Sequence, residues 1–141
     1  MKNLTNCSNV EFLRQCNKIR HQVQDWLKET GVLEIRKRTC ELVPVTDNMT
    51  DAERIKAETE NELRIRSQAK KNISEMLDVA LDKNAEKTLE LVGLMCFLTP
   101  EETSKVKAFK LLREFAEMLN DEDVIGFFSS LMKSGLLDSL N

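Results

Sequence analysis

Proline and glycine are scarce in this chain of 141 residues, two of one and four of the other, and tyrosine is absent. With a single tryptophan as well, the chain lacks the aromatic stock of a β-sandwich or barrel. Histidine occurs once, at His21, so no imidazole cluster can build a metal or acid–base centre. The four cysteines, Cys7, Cys16, Cys40 and Cys96, form no C-x-x-C pair. They are expected as free thiols in a reducing compartment, with Cys16 and Cys96 acting as small hydrophobes on apolar helix faces. No apolar run approaches the ~18 residues of a membrane span, and Met1–Asn6 has no apolar leader core. A cytosolic protein is expected. Also missing are G-x-S-x-G, the P-loop, G-x-G-x-x-G and H-E-x-x-H. The expectation is therefore no enzyme, no cofactor, and a protein that works by binding another macromolecule.

Charge of one sign is lacking too, with 21 Lys and Arg against 24 Asp and Glu. Residues 1–43 carry net +3, while 44–99 and 100–141 each carry −3. A general nucleic-acid binder shows a stronger basic excess, so nucleic acid is disfavoured as the partner. What is abundant is Leu, Glu, Lys, Ala, Met and Arg, the composition of helices. The length suits one all-α domain, 1–141, burying about 70% of its extended-chain surface.

Local signals place about five helices. Ser8-Asn9-Val10-Glu11 is a capping box, and the helix it starts runs to Thr30 and stops at Gly31. Phe12, Cys16, Ile19, Val23, Trp26 and Leu27 mark its apolar face; Arg14, Lys18, His21 and Lys28 mark its solvated one. Val32–Ile35 reads equally as a short strand or a helical turn, and Pro44 with Asp47-Asn48 marks a loop. A second box, Thr50-Asp51-Ala52-Glu53, opens a helix to about Asp82. Its length of roughly 50 Å exceeds the ~37 Å of a globule this size.

Ile73, Met76, Leu77 and Ala80 are expected to be this helix's buried face, yet the same stripe traced backwards meets Arg66 and Glu62. Eleven of the 21 residues from Asp51 to Lys71 are charged. That segment reads as a solvated surface helix or as a projecting arm that packs on a second copy through Ile55, Glu62, Leu63 and Arg66. Asn84 caps a third helix, Ala85–Phe97, apolar all round in its second half and so central. Thr99-Pro100-Glu101-Glu102 is a strong start signal. The helix after it, about Lys105–Leu119, places Val106, Phe109, Leu112, Phe115, Ala116 and Leu119 on one side. Asp121 caps the last helix, Glu122–Ser134. Its Val124, Ile125, Phe127, Phe128, Leu131 and Met132 span a wider arc than one neighbour needs, and 136–141 is expected as a flexible tail. The expected architecture is a compact orthogonal or bundle-like array.

Read together, three segments resemble a known family. Phe12–Arg20 with Leu27–Gly31, then Asn72–Asp78 with Glu86–Phe97, then Asp121–Leu131 are similar to small tail assembly chaperones. These are encoded near the tape-measure protein in phages and prophages of Gram-positive bacteria. The resemblance touches both ends and the centre and leaves 40–70 outside. It implies a helical protein that acts in many copies in the bacterial cytoplasm. Such a protein coats the tape-measure protein until tail-tube subunits polymerise around it. The alternatives are a small helical regulator contacting nucleic acid through the first helix and Arg36-Lys37-Arg38, or a structural tail or head–tail component. On physical grounds the partner-binding residues are expected at Phe127, Phe128, Leu131 and Leu136.

Overall fold

Three of the long helices begin at a side chain that satisfies exposed N–H groups, Ser8, Thr50 and Asp121. A computed structural model describes residues 1–133, excepting the side chains of Leu131 and Met132. In chain order the helices are α1 (Asn9–Thr30), α2 (Val32–Arg36), α3 (Asp51–Leu77), α4 (Ala85–Met95), α5 (Pro100–Lys105), α6 (Ala108–Leu119) and α7 (Glu122–Lys133). A π-helical segment, Asp78–Lys83, prolongs α3. Among the described residues there is no strand. The all-α expectation holds, and five of the seven α-helices are seven residues or longer. The short ones are α2, where strand and helix were both open, and α5, where the start signal at Thr99-Pro100 opens a separate six-residue helix. Among the described residues no helix is long and apolar enough to cross a membrane.

Four of the expected caps act as their spacing suggests, while Asn84, expected to cap α4, stands at its N-cap position without a side-chain cap hydrogen bond. Ser8 Oγ accepts from Glu11 N–H at 3.2 Å while Ser8 N–H donates to Glu11 Oε1 at 3.1 Å. Thr99 and Glu102 repeat this reciprocal pair at 3.2 Å in both directions. Thr50 Oγ1 accepts from Glu53 N–H, and Asp121 Oδ1 from Asp123 and Val124 N–H. Gly31, between α1 and α2, sits at φ 66°, a left-handed geometry that glycine enters without steric cost. The end of α4 is less usual. Leu98 N–H donates to Gly93 O and Phe97 N–H to Leu94 O, the two bonds of a Schellman motif. Its left-handed residue is Phe97 (φ 60°) rather than glycine.

Where length alone points to one domain, the chain divides into two compact units, 1–29 with 84–141, and 30–83. The first packs α1, α4, α5, α6 and α7 around Ile19, Cys96, Leu111, Met118 and Val124, all nearly inaccessible. The N-terminal segment is tied into it. Buried Asn3 donates to Glu114 Oε2 at 2.6 Å and accepts from Thr5, and Lys2 pairs with Glu11 and lies over the Phe97 ring. Gln15 donates to Leu94 O, adding a side-chain donor to a carbonyl that already accepts from Phe97 N–H, and so ties α1 to the end of α4. Gly93 lets α4 and α5 approach so closely that a Cβ there would meet the Thr103 side chain, with Cγ2 at 2.7 Å.

The second unit is built on hydrogen bonds. Residues 38–43 run antiparallel along α3. Asn72 donates to Arg38 O at 2.9 Å, Arg64 to Glu41 O at 3.0 Å, and Asn61 both donates to and accepts from the Val43 backbone. Five extended steps and eleven helical steps each cover about 16 Å, so strap and helix stay in register. Arg38 also pairs with Glu75.

One expected face is corrected by this packing, and a second, on α6, is divided between core and solvent. On α3 the side facing the strap is polar, and Ile73 and Leu77 are more than half exposed rather than buried; Met76 and Ala80 are half-buried. On α6 the buried residues are Leu111 and Met118, with Phe115 partly covered, while Phe109, Leu112, Ala116 and Leu119 face outward. In both helices the apolar arc is wider than, or turned away from, the surface the chain itself supplies.

Candidate functional site: an apolar groove on α6 and α7

Helix α6 carries apolar residues around half its circumference, and only one edge of that arc is used internally. Leu111 and Met118 are in the core. Phe109, Leu112, Ala116 and Leu119, at steps of three and four, form a second stripe in solvent, and Phe109 is 70% exposed. Only two residues, Asn120 and Asp121, separate α6 from α7, which sets Val124, Ile125 and Phe128 beside Leu119 and Phe115. Between them lies an open cavity of about 300 Å³, lined by Met95, Phe115, Leu119, Val124, Ile125, Phe128 and Ser129. Val124 and Met95 are its buried floor, and Ile125 and Leu119 its exposed rim.

Of the residues expected to bind a partner, Phe128 lines this groove, half-buried. Phe127 does not line it; its ring packs edge-on against Phe12 (centroids 5.9 Å apart) and Phe128 (5.4 Å). The side chain of Leu131 and all of Leu136 lie outside the described residues, as does the rest of the tail. The sequence placed Phe109, Leu112 and Leu119 on one side of their helix and Ile125 in the wide arc of α7 without assigning them to binding, since which edge of α6 is buried is settled only by the packing of Leu111 and Met118.

Compared with known protein families, with curated proteins and with solved structures, the chain matches none. Its function must therefore be argued from its surfaces.

The groove's lining is apolar but for Ser129, and the cysteines and the histidine lie elsewhere. The four cysteines are free. Burial pushes the Cys16 thiol up to about 11, with a smaller push from Cys7. Cys96 also rises to about 11, first through burial and then through Glu114, against a small opposing effect of the N-terminal amine. Neither supplies a thiolate near neutrality. His21 is exposed, its Nε2 3.2 Å from Arg20 Nη2. Among the described residues no group of three His, Cys, Asp or Glu could hold a metal ion.

The residues expected to mediate self-association, Ile55, Glu62, Leu63 and Arg66, are all exposed on α3. Ile55 is 64% and Ile73 54% accessible. Among the described residues neither Glu62 nor Arg66 has an ion-pair partner, although Arg64 pairs with Glu60 at 3.4 Å. The Arg36-Lys37-Arg38 cluster is exposed, and Arg38 is engaged by Glu75.

Proposed function

We propose that this chain is a non-enzymatic tail assembly chaperone of a phage or prophage, acting in the bacterial cytoplasm on the tape-measure protein. The observation that carries the reading is the apolar face of α6 and α7, continuous from Phe109 through Leu112, Leu119 and Ile125 to the groove over Phe128. A helix-in-groove complex needs such a surface: apolar anchors at i, i+3, i+4 and i+7 of the incoming helix are withdrawn from water against it. A long tape-measure chain made before its tube would expose many such stripes, and covering them prevents aggregation. The family resemblance of the three segments points to the same partner. Tail-tube protein would displace the chaperone as it polymerises.

Co-expression with the tape-measure protein of the same phage tests the reading. Wild-type chain should keep that protein soluble and co-purify with it. The variant Phe109→Asp/Leu112→Asp should lose both properties while melting within about 0.5 kcal/mol of wild type, since exposed positions contribute little to stability. Equal retention of the tape-measure protein by the variant would remove the groove from the account.

A further inference from the structure

The second unit carries a feature that the groove does not explain. A seam of α3 turned away from Asn61, Arg64 and Asn72 runs Ala52, Ile55, Thr59, Glu62, Arg66, Ala69, Ile73, Met76, at alternating steps of three and four, with Ala69 also bordering the cavity beside the strap. Of these residues all but Met76 are exposed. That is the a/d spacing of a two-stranded coiled coil. It is also symmetric about Arg64: Ala52 and Met76, Ile55 and Ile73, Thr59 and Ala69, Glu62 and Arg66 lie equally far on either side. We infer that α3 pairs antiparallel with α3 of a second copy, about a twofold axis at residue 64.

The geometry follows from that centre. Each Ile55 meets the partner's Ile73, Ala52 meets Met76, and small Thr59 meets small Ala69, so side-chain volume is matched across the axis. Glu62 of each chain lies against Arg66 of the other, making two ion pairs from residues that have no ion-pair partner among the described residues. A parallel pair in the same register would set Glu62 against Glu62 and Arg66 against Arg66. Like charges at facing positions reject that arrangement, so the central charges specify direction while the flanking apolar residues supply the attraction. The strap side of α3 is committed to hydrogen bonds by Asn61, Arg64 and Asn72, which leaves the seam free for a second chain. This pairing does not depend on what the groove of the first unit binds.

Light scattering of the full chain up to about 1 mM, with charge exchanges at the axis, tests the inference. A dimer is expected for wild type. Glu62→Arg alone and Arg66→Glu alone should each raise the dissociation constant tenfold or more, and the double exchange should return it to within about threefold of wild type. Both positions changed are exposed, so circular dichroism should be unaltered. A second, independent readout is oxidative cross-linking. A mixture of Thr59→Cys and Ala69→Cys chains should form a disulfide between the two, and neither variant alone should do so through its new thiol. A monomer at all concentrations, a dimer indifferent to the exchanges, or single-variant defects that the double exchange does not repair would each overturn the antiparallel register.

Discussion

Replacing Gly93 by alanine puts one methyl group where α4 and α5 are closest. An ideal Cβ at this position would lie 2.7 Å from Thr103 Cγ2 and 2.8 Å from Thr103 Cβ, and would overlap its hydroxyl as well. Thr103 has little freedom to retreat. It is buried, branched at Cβ, and its Oγ1 donates to Thr99 O at 2.8 Å. Two effects oppose each other. Alanine improves helix propensity over glycine by about 1 kcal/mol, while overpacking of a filled site costs about 1–3 kcal/mol. Because the clash reaches Cβ of Thr103 and not only a flexible end, the upper part of that range applies, for a net loss of about 1–2 kcal/mol. For a chain of this size that is a fall in melting temperature of about 4–8 °C. Thermal unfolding followed at 222 nm reads it directly. Thr103→Ala in the Gly93→Ala background should recover about 1 kcal/mol, as two side chains in contact are not additive. A Gly93→Ala variant that melts higher than wild type would show that propensity alone operates and that the two helices do not meet there.

At Phe97 the left-handed backbone sets the order of two truncations. Phe97→Ala and Phe97→Gly both lose the ring, but only glycine escapes a strain of about 1–2 kcal/mol, so the glycine variant should melt higher; the reverse order in a denaturant titration would refute the Schellman end of α4. The buried thiols predict an alkaline weakness. Cys16 and Cys96 hold their protons to about 11 against an ordinary 9.0, so the folded chain binds more protons than the unfolded one between those values. Their contribution is whole below pH 9 and is lost as pH rises through about 11, and urea midpoints should fall across that window. In the Cys16→Ala/Cys96→Ala variant the fall should shrink, and an unchanged slope would assign it to other groups. The same burial predicts that iodoacetamide labels Cys7 and Cys40 well before Cys16 and Cys96 in native protein, with all four equal in urea. Early labelling of Cys96 would contradict the core placement.

Helix starts were legible in the sequence because a cap is a local contract. Ser8 with Glu11, Thr99 with Glu102 and Asp121 each satisfy N–H groups within three residues, so no distant part of the chain can overrule them. Which face of a helix becomes buried is decided at a distance, and there the expectation for Ile73 and Leu77 failed. Helix α6 offers two apolar edges, and the one with Leu111 and Met118 is covered. On α3 the chain packs its own strap against Asn61, Arg64 and Asn72, leaving Ile55 and Ile73 outside. Two asparagines spaced along one helix face, able to mimic backbone donors and acceptors, were the sequence signal for that strap. The candidate groove was half legible. Phe128 stood in a visibly wide arc on α7, whereas its α6 wall could be found only once Leu111 had been seen to take the core position. Phe97 carried no signal, since glycine or asparagine is the usual residue at such an end.

The central claim is that the α6–α7 face binds an amphipathic helix, and the affinity of that face for such a helix tests it most directly. Fluorescence anisotropy of labelled amphipathic segments from the tape-measure protein, titrated with the full chain, gives the dissociation constant. The account predicts micromolar binding by wild type. It predicts a loss of tenfold or more, about 1.4 kcal/mol, for Leu112→Asp and for Ile125→Asp, with melting temperatures unchanged. Binding that survives both substitutions, or a loss that appears only when the protein unfolds, would contradict it.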